Sequence, residues 1–157
     1  MTRLLCAALA LAACGAPEPP RFYSIDSEFS EPERETIRST VDAWCESDAR
    51  WCPEEIGWAE QGAFVLVDDL EERSVCAGLD GCVTGGRNTG DRRVLIARNR
   101  HEANNLDALW LIAAHEAGHY CKDGHTKTGL MAAVHTPSDV LEIDDEAVRA
   151  WREGCGK

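Results

Sequence analysis

A stretch of eleven residues, His115 to His125, contains three histidines and a glutamate in the order His-Glu-Ala-Gly-His-Tyr-Cys-Lys-Asp-Gly-His. Histidines four residues apart on a helix lie on one face, one turn above the other, so the rings of His115 and His119 can reach the same metal ion. Zinc held by three neutral histidines keeps a fourth position for water, and a neighbouring carboxylate, here Glu116, can take a proton from that water. The spacing predicts a zinc site, with peptide-bond hydrolysis as the candidate reaction.

The residues just before this stretch predict that the site lies on a buried helix. The run Leu106 to Ala114 is apolar almost all round apart from Asp107, and either Asn104 or Asn105 can cap its beginning. A buried helix that then presents two histidines and a glutamate places polar groups where they need partners. A bound metal ion would satisfy them.

The first residues are typical of a secretion signal. Arg3 supplies a positive start, and the run Leu4 to Leu11 is apolar but too short to span a bilayer. The sequence Leu-Ala-Ala-Cys-Gly at 11–15 resembles the lipobox of bacterial lipoproteins, in which the cysteine is lipidated and becomes the first mature residue. The resemblance implies a signal peptide at 1–13 and a lipid anchor on Cys14. The alternative is an ordinary cleaved signal with a chance cysteine, and the protein is exported in both cases.

Residues 14–27, which include Ala-Pro-Glu-Pro-Pro, predict a flexible tether that lifts the domain off the membrane. Residues 28–157 would form a single domain. Several acyl chains at Cys14 would hold the protein at the bacterial cell envelope by insertion into the bilayer.

Eight cysteines are present, of which Cys6 would leave with the signal and Cys14 would carry lipid. In an exported chain the remaining six predict three disulfides, and six cysteines allow 15 connectivities. Short loops favour two of the pairs, which leaves the third pair by remainder. The predicted pairs are Cys45 with Cys52, Cys76 with Cys82, and Cys121 with Cys155.

The formal charge of the chain is −12. Such an excess of carboxylates argues against a nucleic-acid partner. A solvated acidic surface accounts for the charge, which is spread along the whole chain.

Two strands and a first helix can be located by pattern. Ser30 to Glu33 matches a capping box, and apolar residues at helical spacing follow to about Asp48. The run Phe64 to Val67 is short and apolar, which predicts a buried strand, and Arg93 to Ala97 predicts a second one. Because an extended peptide commonly binds by adding itself to an exposed sheet edge, we interpret Arg93 to Ala97 as the candidate edge, with an interior strand as the alternative.

Trp51, Trp58 and Phe64 are predicted to join the core. The glycine-rich segment from Cys76 to Asp91 is predicted to be a connection.

Within that connection three oxygen-bearing side chains suggest a weak calcium site. They lack the regular spacing of a known calcium loop, so solvated turn residues are the favoured interpretation. The three residues are Asp80, Asn88 and Asp91.

The metal motif resembles the signature of the metzincin zinc peptidases, His-Glu-x-x-His-x-x-Gly-x-x-His followed by a methionine turn. His115, Glu116, His119 and His125 match it in identity and spacing. The resemblance implies that His125 is the third zinc ligand and that Gly-Leu-Met at 129–131 is the methionine turn of a small matrixin-like member. Met131 would then form the apolar floor under the zinc without binding it.

One position departs from the signature, because Lys122 stands where the family has a glycine that ends the helix. A lysine with left-handed backbone is strained by roughly 1 kcal/mol or more. Gly124 offers the turn two residues later, which would allow the helix to continue to Asp123. His125 is then the residue best placed to return to the metal.

The resemblance implies an α+β fold of three helices around a small twisted mixed sheet. The last helix would begin at Asp144 to Glu146, present Val148 and Trp151 to the core, and stop at Gly154. The function it implies is a zinc endopeptidase acting on extended peptide or protein substrates.

Two alternatives stay open at this stage. In a gluzincin-like site, Glu142 or Glu146 would replace His125 as the third ligand. In a binding lipoprotein of the cell surface, zinc would stabilise a domain without turnover. His135 could line the cleft, although a loop histidine is the favoured interpretation, and His101 is assigned to a surface loop.

Overall fold

The computed structural model describes residues 18–59, 61–70, 80–84, 92–98, 105–122, 124–132 and 141–155 of the chain. Three helices accompany a five-stranded sheet in this part of the chain. The helices are α1 (Glu31–Glu46), α2 (Leu106–Gly118) and α3 (Asp145–Cys155). The strands are β1 (Phe22–Ile25), β2 (Glu54–Glu55), β3 (Ala63–Val67), β4 (Gly81–Val83) and β5 (Val94–Ala97). The predicted α+β class is confirmed.

The sheet is mixed, with strand order β2-β1-β3-β5-β4. Neighbouring strands are parallel except β4, which runs antiparallel to β5. The interpretation of 93–97 as the edge strand is therefore wrong, since β5 lies between β3 and β4. The edge on this side of the described sheet is the three-residue β4, which falls in the segment predicted to be a connection. A strand so short, beginning with Gly81, carries too little alternation to be recognised by pattern.

The centre of the sheet forms where the sequence is most apolar. β3 and β5 pair along their length, from Phe64 with Val94 to Val67 with Ala97. All four residues of β5 are buried. Both faces of these strands are covered, as expected for parallel strands with continuous apolar runs.

The first strand lies inside the segment predicted as a tether, residues 14–27. β1 pairs in parallel with β3, with Ser24 opposite Ala63 and Ile25 opposite Phe64. Just before it, the indole N–H of Trp51 donates a hydrogen bond of 2.8 Å to the carbonyl of Pro20. The folded domain thus begins upstream of residue 28, and the predicted boundary of the tether at residue 27 is wrong. β1 has only four residues and follows a proline-rich run, so its sequence shows no recognisable strand pattern.

Aromatic side chains join the helices. Trp44 on α1 donates its indole N–H to the carbonyl of Ala114 on α2, at 3.1 Å. The ring of Trp44 also packs on Trp151 of α3, with centroids 4.7 Å apart. Trp151 in turn contacts Trp51, at 5.5 Å between ring centroids. These rings join α1 to both α2 and α3, and the segment that follows the histidine-bearing end of α2 lies against α3.

Of the three aromatic residues predicted to complete the core, Trp51 and Phe64 are buried. Trp58 is not, because 73% of its surface is exposed. The prediction for Trp58 is wrong, since a tryptophan in a connection carries no periodic signal that tells which way it points.

The helix beginnings agree with the capping patterns. Glu33 accepts the N–H of Ser30 at 2.6 Å, as in a capping box, and the side chain of Asn105 accepts the N–H of Ala108 at 3.1 Å. The end of α2 differs from the expectation, because the helix ends at Gly118 and not at Asp123. None of the described helices is long and apolar enough to cross a membrane.

Two predicted disulfides are confirmed, Cys45 with Cys52 and Cys121 with Cys155. Cys82 is also disulfide-bonded. Its predicted partner, Cys76, lies outside the described residues. Disulfides are consistent with an exported protein.

Gly154 lies within α3 and does not end it, contrary to the prediction. A Cβ atom at this position would lie 1.5 Å from the carbonyl oxygen of Cys121. The absence of a side chain lets the end of α3 pack directly on the backbone that follows α2. The glycine is needed for this close approach and not for a helix stop.

We expect Gly154→Ala to lower the free energy of unfolding by about 1 to 3 kcal/mol, because the added methyl group forces the two backbones apart. Urea unfolding with disulfides intact measures this. Gly57→Ala is the matched control, since a Cβ at Gly57 meets nothing within 4 Å. Equal stability of the two variants would contradict the close packing.

Candidate metal centre

The three histidines of the motif come together at the end of α2. His115 lies on the last turn of the helix, His119 caps it, and His125 follows in the next segment. One ring nitrogen from each lies within 4.8 Å of the other two. The predicted ligand set is therefore assembled in one place, and it is the only such metal-ligand cluster among the residues that the structure describes.

Backbone carbonyls orient the two helical rings. The Nδ1 atom of His115 lies 2.7 Å from the carbonyl oxygen of Leu130, and Nδ1 of His119 lies 2.8 Å from that of Lys122. A carbonyl oxygen only accepts, so Nδ1 carries the proton in both rings. The lone pair of each ring then belongs to Nε2, which is how protein partners prepare histidines for a metal ion.

The two Nε2 atoms are 3.1 Å apart. With both protons on Nδ1, neither Nε2 has a hydrogen to donate to the other, so the two lone pairs repel. A cation between them removes the repulsion. Two nitrogens at about 2.0 to 2.1 Å from a tetrahedral zinc lie roughly 3.3 Å apart, which is close to the distance observed. The donor set is thus compatible with zinc.

His125 reaches the site without a glycine at position 122. In the described part of the chain Arg50 is the only residue other than glycine with positive φ, so Lys122 has no left-handed strain. Gly124 makes the turn instead, with φ of 73°. After the turn, the N–H of Thr126 donates to the carbonyl of Met131 at 2.8 Å, which draws His125 back towards α2. The departure at Lys122 is accommodated because Gly124 makes the left-handed turn, and the backbone carbonyl of Lys122 orients His119.

The segment 129–131 lies directly against the metal helix. Met131 is buried, and a Cβ atom on Gly118 would lie 2.2 Å from its sulfur. Leu130 supplies the carbonyl that orients His115. The predicted methionine turn therefore contacts the helix between the two helical ligands, where its methionine provides an apolar support.

Asp144 holds this turn in place. Its carboxylate accepts the N–H of Leu130 at 2.6 Å and the N–H of Ala147, in the first turn of α3, at 2.9 Å. A Cβ on Gly129, whose φ is 74°, would lie 2.5 Å from the carboxylate. The sequence marked Asp144 only as the start of a helix. Leu130, the other residue that Asp144 binds, lies 14 residues upstream, and no local sequence pattern indicates a contact over that separation.

Glu116 lies beside the histidines, under the edge strand. Its carboxylate accepts the backbone N–H of Val83. A Cβ on Gly81 would lie 2.7 Å from Cγ of Glu116, so the glycine allows β4 to approach the side chain closely. Burial raises the pKa of Glu116 to about 8, the charge of Asp80 acts in the same direction, and the bond from Val83 opposes them. A bound divalent cation would favour the carboxylate.

Arg92 is a further buried residue that the sequence did not single out. Its Nη2 donates to the carbonyl of His119 at 2.9 Å, and its guanidinium lies 5.6 Å from the centre of the Tyr120 ring. A cation is favourable at the carboxyl end of a helix, where carbonyls lack helical partners. Arg92 thereby stabilises the backbone of His119, a candidate ligand.

The other candidates do not join the cluster. Asp80 belongs to no group of metal-ligating side chains among the described residues, and its two predicted calcium companions, Asn88 and Asp91, lie outside them, as do His101 and His135. Glu146 contacts Thr128 and Arg149, and Glu142 is exposed. Neither glutamate is in the metal cluster, so the structure favours His125 over a gluzincin-like third ligand.

No protein-family model matches the chain, and no curated protein matches it. The three-histidine cluster and the α+β fold are compatible with a zincin.

We expect His125→Ala to weaken zinc binding, because it removes one of three ligands while His115 and His119 stay in place. Competition with a chromophoric chelator measures the affinity, and the metal-to-protein ratio should fall from one. His101→Ala is the control and should bind zinc as the wild type does. An unchanged affinity in His125→Ala would exclude His125 as a ligand.

We expect Asp144→Asn to weaken zinc binding by about 10-fold, since the amide has one oxygen and cannot accept both N–H groups as the carboxylate does. The same chelator competition tests this, at a temperature where both proteins are folded. Asp145→Asn is the matched control, because Asp145 is exposed. Identical affinities in the two variants would show that Asp144 does not position the turn.

Proposed function

We propose that the protein is a zinc-dependent endopeptidase of metzincin type, exported and lipid-anchored through Cys14 at the bacterial cell envelope. The observation that carries the proposal is the position of Glu116. It is buried, it follows His115 directly in the chain, and its carboxylate accepts the N–H of Val83 in the edge strand β4, so a peptide bound along β4 would meet both the carboxylate and a metal held by the histidines. The lipid anchor rests on the lipobox resemblance.

The edge strand β4 supports the substrate class. It pairs with β5 on one side and has no second neighbour among the described strands. An extended peptide that adds itself to such an edge is aligned by backbone hydrogen bonds, whatever its side chains are. Since Gly81 of β4 contacts Glu116, a peptide bound along this edge passes close to the metal cluster. Extended peptides and unfolded protein segments are therefore the proposed substrates.

The chemical roles follow from the side chains. Zinc, when bound, would polarise the scissile carbonyl and lower the pKa of water at the site. Glu116 takes the proton of the attacking water and delivers it to the leaving amine. Burial raises the pKa of Glu116, whereas a divalent cation bound at the histidines would favour the carboxylate form that accepts the proton.

We expect Glu116→Gln to reduce hydrolysis of a peptide library by at least about a thousandfold while zinc stays bound, because the amide cannot accept the proton and the histidines are unchanged. Cleavage is measured by mass spectrometry and zinc by metal analysis. Glu142→Gln, an exposed glutamate outside the cluster, is the control and should keep full activity.

The result also separates the peptidase from the alternative, a non-catalytic zinc-stabilised binding lipoprotein. That alternative predicts that the zinc-loaded wild type cleaves no member of the library. Cleavage that survives equally in Glu116→Gln would instead show that another group or a contaminant is responsible.

A further inference from the structure

Two large apolar side chains are exposed along one edge of the sheet. Trp58 is 73% exposed and Phe22, the first residue of β1, is 47% exposed. The segment that carries Trp58 runs beside β1, since the N–H of Ile56 donates to the carbonyl of Tyr23 at 2.8 Å. We name the surface formed by Phe22, Ile56 and Trp58 the aromatic edge.

The chain enters the domain at this edge. Pro19 and Pro20 line a shallow groove together with Phe22, Ile56 and Ala59. Trp51 holds the carbonyl of Pro20, so the entering chain is bonded to the core. Whatever is attached a few residues upstream is therefore attached next to the aromatic edge.

The distance to the predicted anchor is short. Cys14 precedes Glu18 by four residues, and a fully extended chain spans at most about 3.6 Å per residue, which gives roughly 14 Å. A lipidated Cys14 sits at the bilayer surface, so it would hold Glu18, where the described domain begins, within roughly 14 Å of that surface. Because residues 22–25 belong to the sheet, they cannot act as part of a longer tether that would hold the domain away from the membrane.

The charges at this edge permit such contact. Arg21 lies 3.7 Å from the carboxylate of Glu18, and Arg38 forms an ion pair with Glu55 of the edge strand β2 at 3.0 Å. Arg21 and Arg38 thus offset only part of the negative charge here, because Glu54, which lies opposite Phe22, is also exposed and Arg38 is shared with Glu31 and Glu35. A zwitterionic phospholipid surface would meet little repulsion.

We propose that the aromatic edge rests on the phospholipid bilayer, with Trp58 inserted at the headgroup level. This proposal depends on the lipid anchor in the proposed function, and it adds a fixed orientation to it. Tryptophan favours this depth, because its ring is apolar while its N–H bonds to headgroups or water. The partner is a membrane surface, and contact requires no helix that spans it.

The orientation decides from which side substrate arrives. In the strand order β2-β1-β3-β5-β4, the edge beside Glu116 is three strand spacings from β1, which is about 14 Å, and four from β2. The metal cluster and β4 therefore face away from the bilayer. Peptides dissolved in the aqueous phase reach the site, whereas segments embedded in the membrane do not.

The test uses the full-length lipidated protein in vesicles of phosphatidylcholine with brominated acyl chains, which quench nearby indoles. Flotation first separates vesicle-bound protein. We expect the bound wild type to lose at least about twice as large a fraction of its tryptophan fluorescence as Trp58→Phe, because the other four tryptophans lie in the described core and are buried. Quenching that is equal in both proteins overturns the proposal.

A second variant, Trp58→Phe combined with Leu141→Trp, is the matched control. Leu141 is 40% exposed but precedes α3 on the side of Asp144 and the metal cluster. A tryptophan there should add no quenching, and quenching at this position would overturn the orientation.

The anchor is tested separately with Cys14→Ser. Loss of flotation in this variant, with flotation of the wild type, supports the lipid anchor. A wild type that does not float defeats the anchor and the orientation together, but it leaves the peptidase assay unaffected. Absence of Trp58-dependent quenching in protein that floats defeats the orientation alone. Dimerisation that Trp58→Ala abolishes would then assign the edge to a second copy of the chain.

Discussion

The hydrogen bond from the N–H of Leu130 to the carboxylate of Asp144 is the interaction on which the candidate site depends most. The carbonyl of Leu130 orients His115. The next residue, Met131, packs on Gly118 of α2, and its carbonyl accepts the N–H of Thr126, which follows His125. Because the carboxylate also caps α3, a displacement of that helix would move the support of two ligands at once. A charge-assisted bond to a partly buried backbone group is strong enough for this role.

The other end of α3 acts on His119. Cys155 is bonded to Cys121, and Gly154 lies against the carbonyl of Cys121. The next carbonyl, that of Lys122, orients His119. The two ends of one helix thus constrain the backbone on both sides of the turn at Gly124. This arrangement explains how a lysine can stand where the metzincin signature has glycine, since the disulfide and the later turn give the chain its direction.

The sheet places two surfaces at opposite edges. β4, at one edge, brings Gly81 and Val83 against Glu116, and a peptide added there would be held beside the histidines. At the other edge, β1 and β2 lie next to the point where the chain enters the domain. The proposed substrate would bind at the β4 edge and the proposed membrane contact would lie at the β1 and β2 edge, so neither has to displace the other.

The sequence by itself identified the candidate ligands and the elements whose signals are local. The spacing of His115 and His119 is a property of one helix, the apolar runs of β3 and β5 are continuous, and the capping residues lie within a turn of the groups they bind. Only the tertiary structure decided that β4 is the edge, that β1 belongs to the sheet, that Trp58 points outwards and that Asp144 holds Leu130. Each of these depends on a partner far away in the chain, and the free energy of such a contact is set by the packing of the whole domain, to which no short window of sequence is sensitive.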